Sequence, residues 1–143
     1  MKILTYVFES FKLKSYLGVL GDLVVVKKPK TDVDYLCSLL FSNNYDLVLG
    51  VARNNWQSKL EPVAINNVHG HKIDKNGVEK LPLFVPSPII FSVSSRTTRT
   101  FCNYTMYKVA KYLKDERLKT KFVFFHLRER DTEKMVSFIQ KSF

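Results

Sequence analysis

The chain has 143 residues, of which 45% are hydrophobic and 25% are charged. This length fits one domain around one core, and the composition excludes an intrinsically disordered protein. No apolar run approaches the length of a membrane span. The short N-terminal apolar stretch is followed by charged residues, and no small-residue cleavage site comes after it. We therefore interpret it as a first strand and not as a signal peptide.

The net charge of the chain is +10. Such a charge favours acidic partners, nucleic acid among them, but it is also typical of a lysine-rich solvated face. The basic residues are spread over 12–30, 108–121 and 128–141, with no aromatic stacking platform and no zinc-finger spacing among them. We therefore do not expect nucleic-acid binding to be the main function.

The two cysteines, Cys37 and Cys102, are too few for a disulfide framework. They also lack the clustered Cys/His spacing of a zinc site. His69 and His71 lie in a polar, turn-rich loop, and no carboxylate or third histidine is spaced to complete a metal site with them. We expect no metal or cofactor, and a reducing, cytoplasmic location is the default for such a chain.

The first part of the chain alternates short apolar strands with one amphipathic helix. The pattern predicts strands at 1–8, 23–26 and 45–52, a weak helix-like segment at 11–20, and a helix from Thr31 or Asp32 to Phe41. The run at 23–26 is continuous and apolar, which is typical of a strand buried on both faces. Cys37 lies within the helix among leucines, so we interpret it as structural.

The second part of the chain continues the alternation. Strands are predicted at 60–66, 89–93 and 122–125, the last two of them buried, with helices at 98–113 and from Asp131 or Thr132 onward. Asn76-Gly77 predicts a hairpin turn, and Pro82, Pro86 and Pro88 predict an extended connection. Buried strands that alternate with amphipathic helices indicate an α/β sheet with helices on both sides and right-handed crossovers.

Three side chains stand where such folds carry their chemistry, beyond the carboxyl ends of strands. Cys102 lies near the start of the second predicted helix, His126 follows the strand at 122–125, and Glu61 lies at the strand after Gly50. A thiol, an imidazole and a carboxylate in these places serve as nucleophile, base and orienting group. Each residue alone also has a structural explanation: a buried thiol, a core histidine and a surface carboxylate.

Three separated segments add a more specific pattern. The segment GVARNNWQSKLEPVAIN, residues 50–66, places Gly50, Glu61, Val63, Ala64 and Asn66 at a characteristic spacing. In SSRTTRTFCNYTMY, residues 94–107, a serine precedes Cys102 by eight residues, and KFVFFHLRE, residues 121–129, carries His126. The opening KILTYVFESF adds Phe8, Glu9 and Phe11. In this order and combination the chain resembles a diverged, shortened member of the pyroglutamyl peptidase (pyrrolidone-carboxylate peptidase) family.

The resemblance implies one pyroglutamyl-peptidase-like domain over residues 1–143. Its fold would be three-layer α/β/α with a mixed, mostly parallel central sheet of the phosphorylase/hydrolase-like type. The implied activity is that of a cysteine omega-peptidase, which hydrolyses an N-terminal pyroglutamyl or related amide without a metal or cofactor. Cys102 would be the nucleophile, His126 the base and Glu61 its orienting group. The substrate-binding residues would be Phe8, Phe11, Val51, Phe101 and Ile73.

Two other interpretations stay open from the sequence. The chain is also compatible with a diverged homologue that acts as a binding or structural protein, with its positive charge directed at an acidic partner. An unrelated α/β enzyme is the third interpretation. Exposed strand edges in a domain of this size favour self-association, so we include a homo-oligomer among the expected partners, beside a peptide or small amide substrate.

Overall fold

The structure is a computed structural model that describes residues 1–143. It contains eight strands and three α-helices, with 3₁₀ turns at Lys14–Leu20 and Glu129–Asp131. The strands are β1 Ile3–Phe8, β2 Asp22–Val26, β3 Leu47–Arg53, β4 Lys59–Leu60, β5 Val63–Ile65, β6 Lys80–Pro82, β7 Ser92–Val93 and β8 Lys121–Leu127. The helices are α1 Pro29–Ser42, α2 Phe101–Asp115 and α3 Thr132–Ser142. None of these helices has the length and hydrophobicity that a membrane span requires.

Six strands form the central sheet in the order β2-β1-β3-β8-β4-β7, and β5 pairs with β6 in a separate antiparallel pair. The neighbours β2-β1, β1-β3 and β3-β8 are parallel, while β4 runs antiparallel to β8. This topology confirms the predicted α/β fold with a mixed, mostly parallel sheet. It also brings the carboxyl ends of β1, β3 and β8 to the same edge.

Side chains of the central strands alternate between two cores. On one face, Tyr6 and Phe124 pack against α1 and α2, and we call this the α2-side core. On the other face, Val7 and Phe125 pack against α3 and the first 3₁₀ turn, which is the α3-side core. Strands with successive side chains in two different cores read as unbroken apolar runs, which explains why β1, β3 and β8 were recognisable from sequence.

Gly50, at the centre of β3, is required by space and not by a turn. A Cβ atom at this position would clash with the ring of Phe124 and would lie 2.8 Å from Cζ of Tyr6. The missing side chain allows these two rings, which come from the neighbouring strands, to approach to 6.1 Å between centroids. Gly50 therefore lets the aromatic side chains of β1 and β8 fill the space above β3.

Two strand predictions need correction, one in the burial of the strand and the other in its length. The prediction of a strand at 23–26 is confirmed by β2, but β2 is an edge strand in which only Val26 is buried. The single strand expected at 60–66 is instead two strands, β4 and β5, in different sheets. They separate at Pro62, which has no N–H to contribute to a ladder.

The buried strand expected at 89–93 is the clearest error. Only Ser92 and Val93 form β7, at the sheet edge, while Ile89 and Ile90 are 58% and 47% exposed and Phe91 alone enters a core. The hairpin turn predicted at Asn76-Gly77 is found in part. The N–H of Gly77 donates to the carbonyl of Asp74 at 3.2 Å, but this turn lies within a long loop, residues 66–79, that joins the antiparallel strands β5 and β6.

The helix predictions hold with shifted starts. Helix α1 begins at Pro29, before the predicted Thr31 or Asp32, and the Asp32 carboxylate accepts hydrogen bonds from the backbone N–H groups of Lys27 and Lys28. Helix α2 begins at Phe101 rather than at residue 98, and α3 begins at Thr132 with Asp131 at its N-cap position.

Candidate functional site

The Glu61–His126 pair is built by the antiparallel contact between β4 and β8. Lys59 lies opposite His126 in the register, and the backbone N–H of Glu61 donates to the carbonyl of Phe124 at 2.9 Å. Both side chains therefore project toward the α2-side face, where Nδ1 of His126 lies 2.7 Å from Oε1 of Glu61. The carboxylate is fully buried and the imidazole is 5% exposed. A buried pair at this distance fixes the ring orientation.

Cys102 is the second residue of α2 and packs, half-buried, against the α2-side core. Thr100 is the N-cap residue, and its side chain makes no capping hydrogen bond. The first N–H groups of a helix have no acceptor within the helix, so those of Phe101 and Cys102 remain available as donors. They stabilise negative charge on a thiolate or on an oxyanion near the start of α2.

The pKa of His126 links the three side chains. Burial lowers this pKa, but hydrogen bonding and charge interactions with Cys102 and Glu61 outweigh burial and raise it from 6.5 to about 9. Because Glu61 occupies Nδ1, Nε2 is the ring nitrogen left to interact with the thiol. The structure thus pairs the imidazole with the carboxylate at hydrogen-bond distance, and it places the thiol on the same side of the sheet, at the start of α2.

We expect this pKa to be visible in a direct titration. In a His69→Gln/His71→Gln variant His126 is the only histidine, so its Cε1–H resonance is unambiguous in NMR spectra recorded against pH. The expected midpoint is about 9, and Cys102→Ala should lower it because one partner that favours the protonated ring is removed. A midpoint at or below 6.5 in the parent variant would contradict this arrangement.

Two buried asparagines anchor the segment that faces the start of α2. Oδ1 of Asn103 accepts from the N–H of Ile65, and its Nδ2 donates to the carbonyls of Ile65 and Asn67. Asn66 uses both ends of its amide on the backbone of residues 73–77. Asn66 belonged to the sequence pattern, and its role here is to close the loop after β5 on itself, while Asn103 ties the start of that loop to α2.

The predicted substrate-binding residues divide into two groups. Phe8 lies half-buried at the end of β1, on the same face as Cys102. Phe11 and Val51 are fully buried in the α3-side core, on the opposite face of the sheet. The expectation that Phe11 and Val51 contact substrate is therefore wrong for this structure. Val51 faces away because it alternates along β3 with Gly50 and Ala52.

Ile73 and Phe101 line a surface cavity of about 430 Å³ beside the start of α2. We call it the α2 cavity; its other lining residues are Lys30, Val68, His69, His71, Lys72 and Tyr104. Sequence reasoning treated His69 and His71 as exposed loop residues, and they are exposed, but both face this cavity. No spacing in the sequence connects them with Lys30, which comes from the first turn of α1.

The remaining candidates have structural explanations. Cys37 is half-buried within α1, and burial raises the pKa of its thiol to about 11. No group of three His, Cys, Asp or Glu side chains is arranged to hold a metal ion.

Comparisons with known proteins bear on the fold. No protein-family model and no curated protein sequence matches the chain. Among solved structures it is similar to the pyrrolidone carboxyl peptidase from Thermococcus litoralis, with a TM-score of 0.71, 18% identity, and coverage of 89% of this chain and 76% of the other.

Two further structures give the same result. Pyroglutamyl peptidase I from Bacillus amyloliquefaciens matches with a TM-score of 0.71 and 17% identity, over 89% of this chain and 81% of its own. The pyrrolidone carboxyl peptidase from Fervidobacterium islandicum AW-1 matches with a TM-score of 0.72 and 18% identity, over 90% of this chain and 81% of its own. The chain therefore has the α/β fold of the pyroglutamyl peptidases.

Proposed function

We propose that the chain is a cysteine peptidase that hydrolyses an N-terminal pyroglutamyl amide or a closely related amide. The observation that carries this proposal is the buried 2.7 Å contact between Glu61 and His126, on the same side of the sheet as Cys102 at the start of α2. A nucleophile, a base and an orienting carboxylate form the minimal machinery for acyl transfer. The shared fold with pyroglutamyl peptidases supports the choice of substrate.

The mechanism begins from a protonated base. At neutral pH an imidazole with a pKa of about 9 carries its proton. The thiolate is the form of a cysteine that acts as a nucleophile. The thiolate attacks the carbonyl carbon of the scissile amide, and the N–H groups of Phe101 and Cys102 stabilise the oxyanion. His126 gives its proton to the leaving amine as the C–N bond breaks, which leaves a thioester on Cys102.

Hydrolysis of the thioester restores the enzyme. The neutral ring of His126 removes a proton from a water molecule, and the resulting hydroxide attacks the thioester carbonyl. The acid product leaves as the C–S bond breaks, and the released thiolate faces the protonated ring again. Glu61 favours the protonated ring in both steps, because its carboxylate is held against Nδ1.

The acyl group of the proposed substrate is a flat, uncharged lactam. Phe8 lies on the same face of the sheet as Cys102, and Phe101 is adjacent to Cys102 in the chain and 40% exposed, so both offer apolar surface to this ring. Aromatic faces suit such a ring, since they exclude water from the reacting carbonyl. Pyroglutamyl amides are therefore the first substrates to test.

The proposal is tested with a fluorogenic pyroglutamyl amide, and with the matched prolyl amide as the substrate that lacks the lactam carbonyl. Cys37→Ser is the matched control, because it removes the only other thiol without touching the site. We expect this control to hydrolyse the pyroglutamyl amide and to be inactivated by iodoacetamide with one alkyl group added at Cys102. Hydrolysis that survives complete alkylation of Cys102 would remove the proposal.

A second candidate function is the binding of an acidic partner through the positive surface. It is favoured by the net charge of +10 and by Trp56, which is 88% exposed after the end of β3. A groove nearby is lined by two arginines, one glutamate and two asparagines: Arg128, Arg130, Glu129, Asn54 and Asn55. If this second function is correct, the chain hydrolyses no pyroglutamyl amide. Its retention on a polyanion column should then fall steeply as the salt concentration rises.

A further inference from the structure

The α2 cavity differs in charge from the surface that a lactam ring needs. Four basic side chains line it, Lys30, His69, His71 and Lys72, and no carboxylate does. Phe101 and Tyr104, on the first turn of α2, form its aromatic side. Its volume of about 430 Å³ is sufficient for one or two amino-acid residues.

The positive charge of the cavity is largely uncompensated. None of the salt bridges of the chain involves Lys30. Lys72 lies 3.7 Å from Glu79, but both side chains are more than half exposed, and such surface pairs contribute little. An anionic group that enters the cavity therefore meets available cationic partners.

The position of His69 ties the cavity to the reactive end of α2. His69 has a φ of 50°, a left-handed conformation that is unfavourable for most residues other than glycine. Its N–H donates to the carbonyl of Arg99, three residues before Cys102, and its ring packs edge-on against Phe101 at 5.1 Å. The loop thus holds an imidazole, at a conformational cost, on the wall next to the nucleophile.

We propose that the α2 cavity binds the side-chain carboxylate of the residue that follows the scissile amide, so that the enzyme prefers acidic residues on the leaving side. This inference rests on the proposed function. A lactam carries no charge for lysine or histidine to pair with, so the cationic cavity suits the other side of the scissile bond. Charge-assisted hydrogen bonds to a carboxylate are among the stronger polar contacts in proteins.

The test compares two dipeptides with an amidated C-terminus, pyroglutamyl-aspartyl amide and pyroglutamyl-asparaginyl amide. Their second side chains have nearly the same shape, but only the first is a carboxylate. At low ionic strength we expect KM for the carboxylate peptide to be lower by about tenfold, with similar kcat. In Lys30→Gln/Lys72→Gln the two KM values should converge while kcat is retained. The matched control, Lys114→Gln/Lys119→Gln, removes two exposed lysines outside the cavity and should keep the preference.

Binding to Cys102→Ser, measured by calorimetry, separates this inference from the proposed function. If neither peptide is hydrolysed but the carboxylate peptide binds more tightly and shifts the NMR resonances of His69 and His71, the anionic subsite stands and the peptidase assignment fails. If both peptides are hydrolysed with the same KM, or bind with the same affinity, the anionic subsite is overturned and the peptidase assignment is untouched.

Discussion

Cys102→Ser is expected to lower kcat/KM for a pyroglutamyl amide by about 10⁴-fold or more, as loss of the nucleophile does in comparable hydrolases. The hydroxyl group occupies nearly the same volume as the thiol, but it stays protonated beside His126 at neutral pH. The measurement is an initial-rate assay with the variant and the parent chain at matched concentration. Circular dichroism should give the same spectrum for both.

Cys37→Ser provides the reference for this loss. It makes the same chemical change in α1, where the thiol is half-buried and lines a different groove, with Asp34 and Lys108. We expect the rate of this variant to stay within about twofold of the parent, the range of a neutral surface-like change. Residual activity above about one per cent in Cys102→Ser would show that another group is the nucleophile.

Glu61→Gln is the second large effect, with an expected fall in kcat of about 10² to 10⁴-fold. The amide has the shape of the carboxylate but no charge, so it cannot stabilise the protonated ring of His126. Its effect on kcat should exceed its effect on KM, because Glu61 contacts the ring and not the substrate. The control is Glu79→Gln, which removes an exposed carboxylate.

The same variant should change the pH dependence of stability. The pKa of His126 is raised to about 9 in the folded chain, above its unfolded value of 6.5. The stability that follows from this shift is fully present below pH 6.5 and is lost as the pH rises through 9, up to about 3 kcal/mol in the parent chain.

In Glu61→Gln this loss should be smaller, since one of the groups that raise the pKa of His126 is absent. Urea unfolding at pH 6, 7.5 and 9.5 measures the free energy of unfolding for both chains. Parallel curves for the parent and Glu61→Gln would contradict the role of Glu61, whereas Glu79→Gln should follow the parent.

The central part of the fold was predictable because burial on both faces leaves a mark in sequence. β1, β3 and β8 are continuous apolar runs, and the apolar stripe of α2 has helical spacing. The sheet periphery was not, because the run at 89–93 is as apolar as a buried strand but mostly exposed. The strand next to this run in the sheet is β4, which has only two residues and covers little of it. Amino-acid composition alone cannot distinguish such an edge strand from a central strand.

The candidate site was predictable in part. The sequence placed Glu61 and His126 at neighbouring strand ends, where the structure pairs them, and the role of Cys102 as nucleophile stays a proposal. Phe11 and Val51 were misplaced because the resemblance gives a position along the chain, whereas the face of the sheet depends on register. The α2 cavity was missed because it joins Lys30 to a loop that begins after β5, a contact that only the tertiary structure makes.

The short strand β4 has a consequence for how the chain tolerates insertions and deletions. Leu60 enters the α3-side core and Glu61 faces the opposite side, while Ser58 donates to Asp131 and accepts from the N–H of Arg128. One residue added between Ser58 and Glu61 would turn the carboxylate into the apolar core, since a slip by one residue exchanges the faces of a strand. Length changes in the exposed turn at 54–57 leave the pairing intact. Evolution is therefore free to vary that turn, while the spacing from Ser58 to Glu61 stays fixed by the sheet.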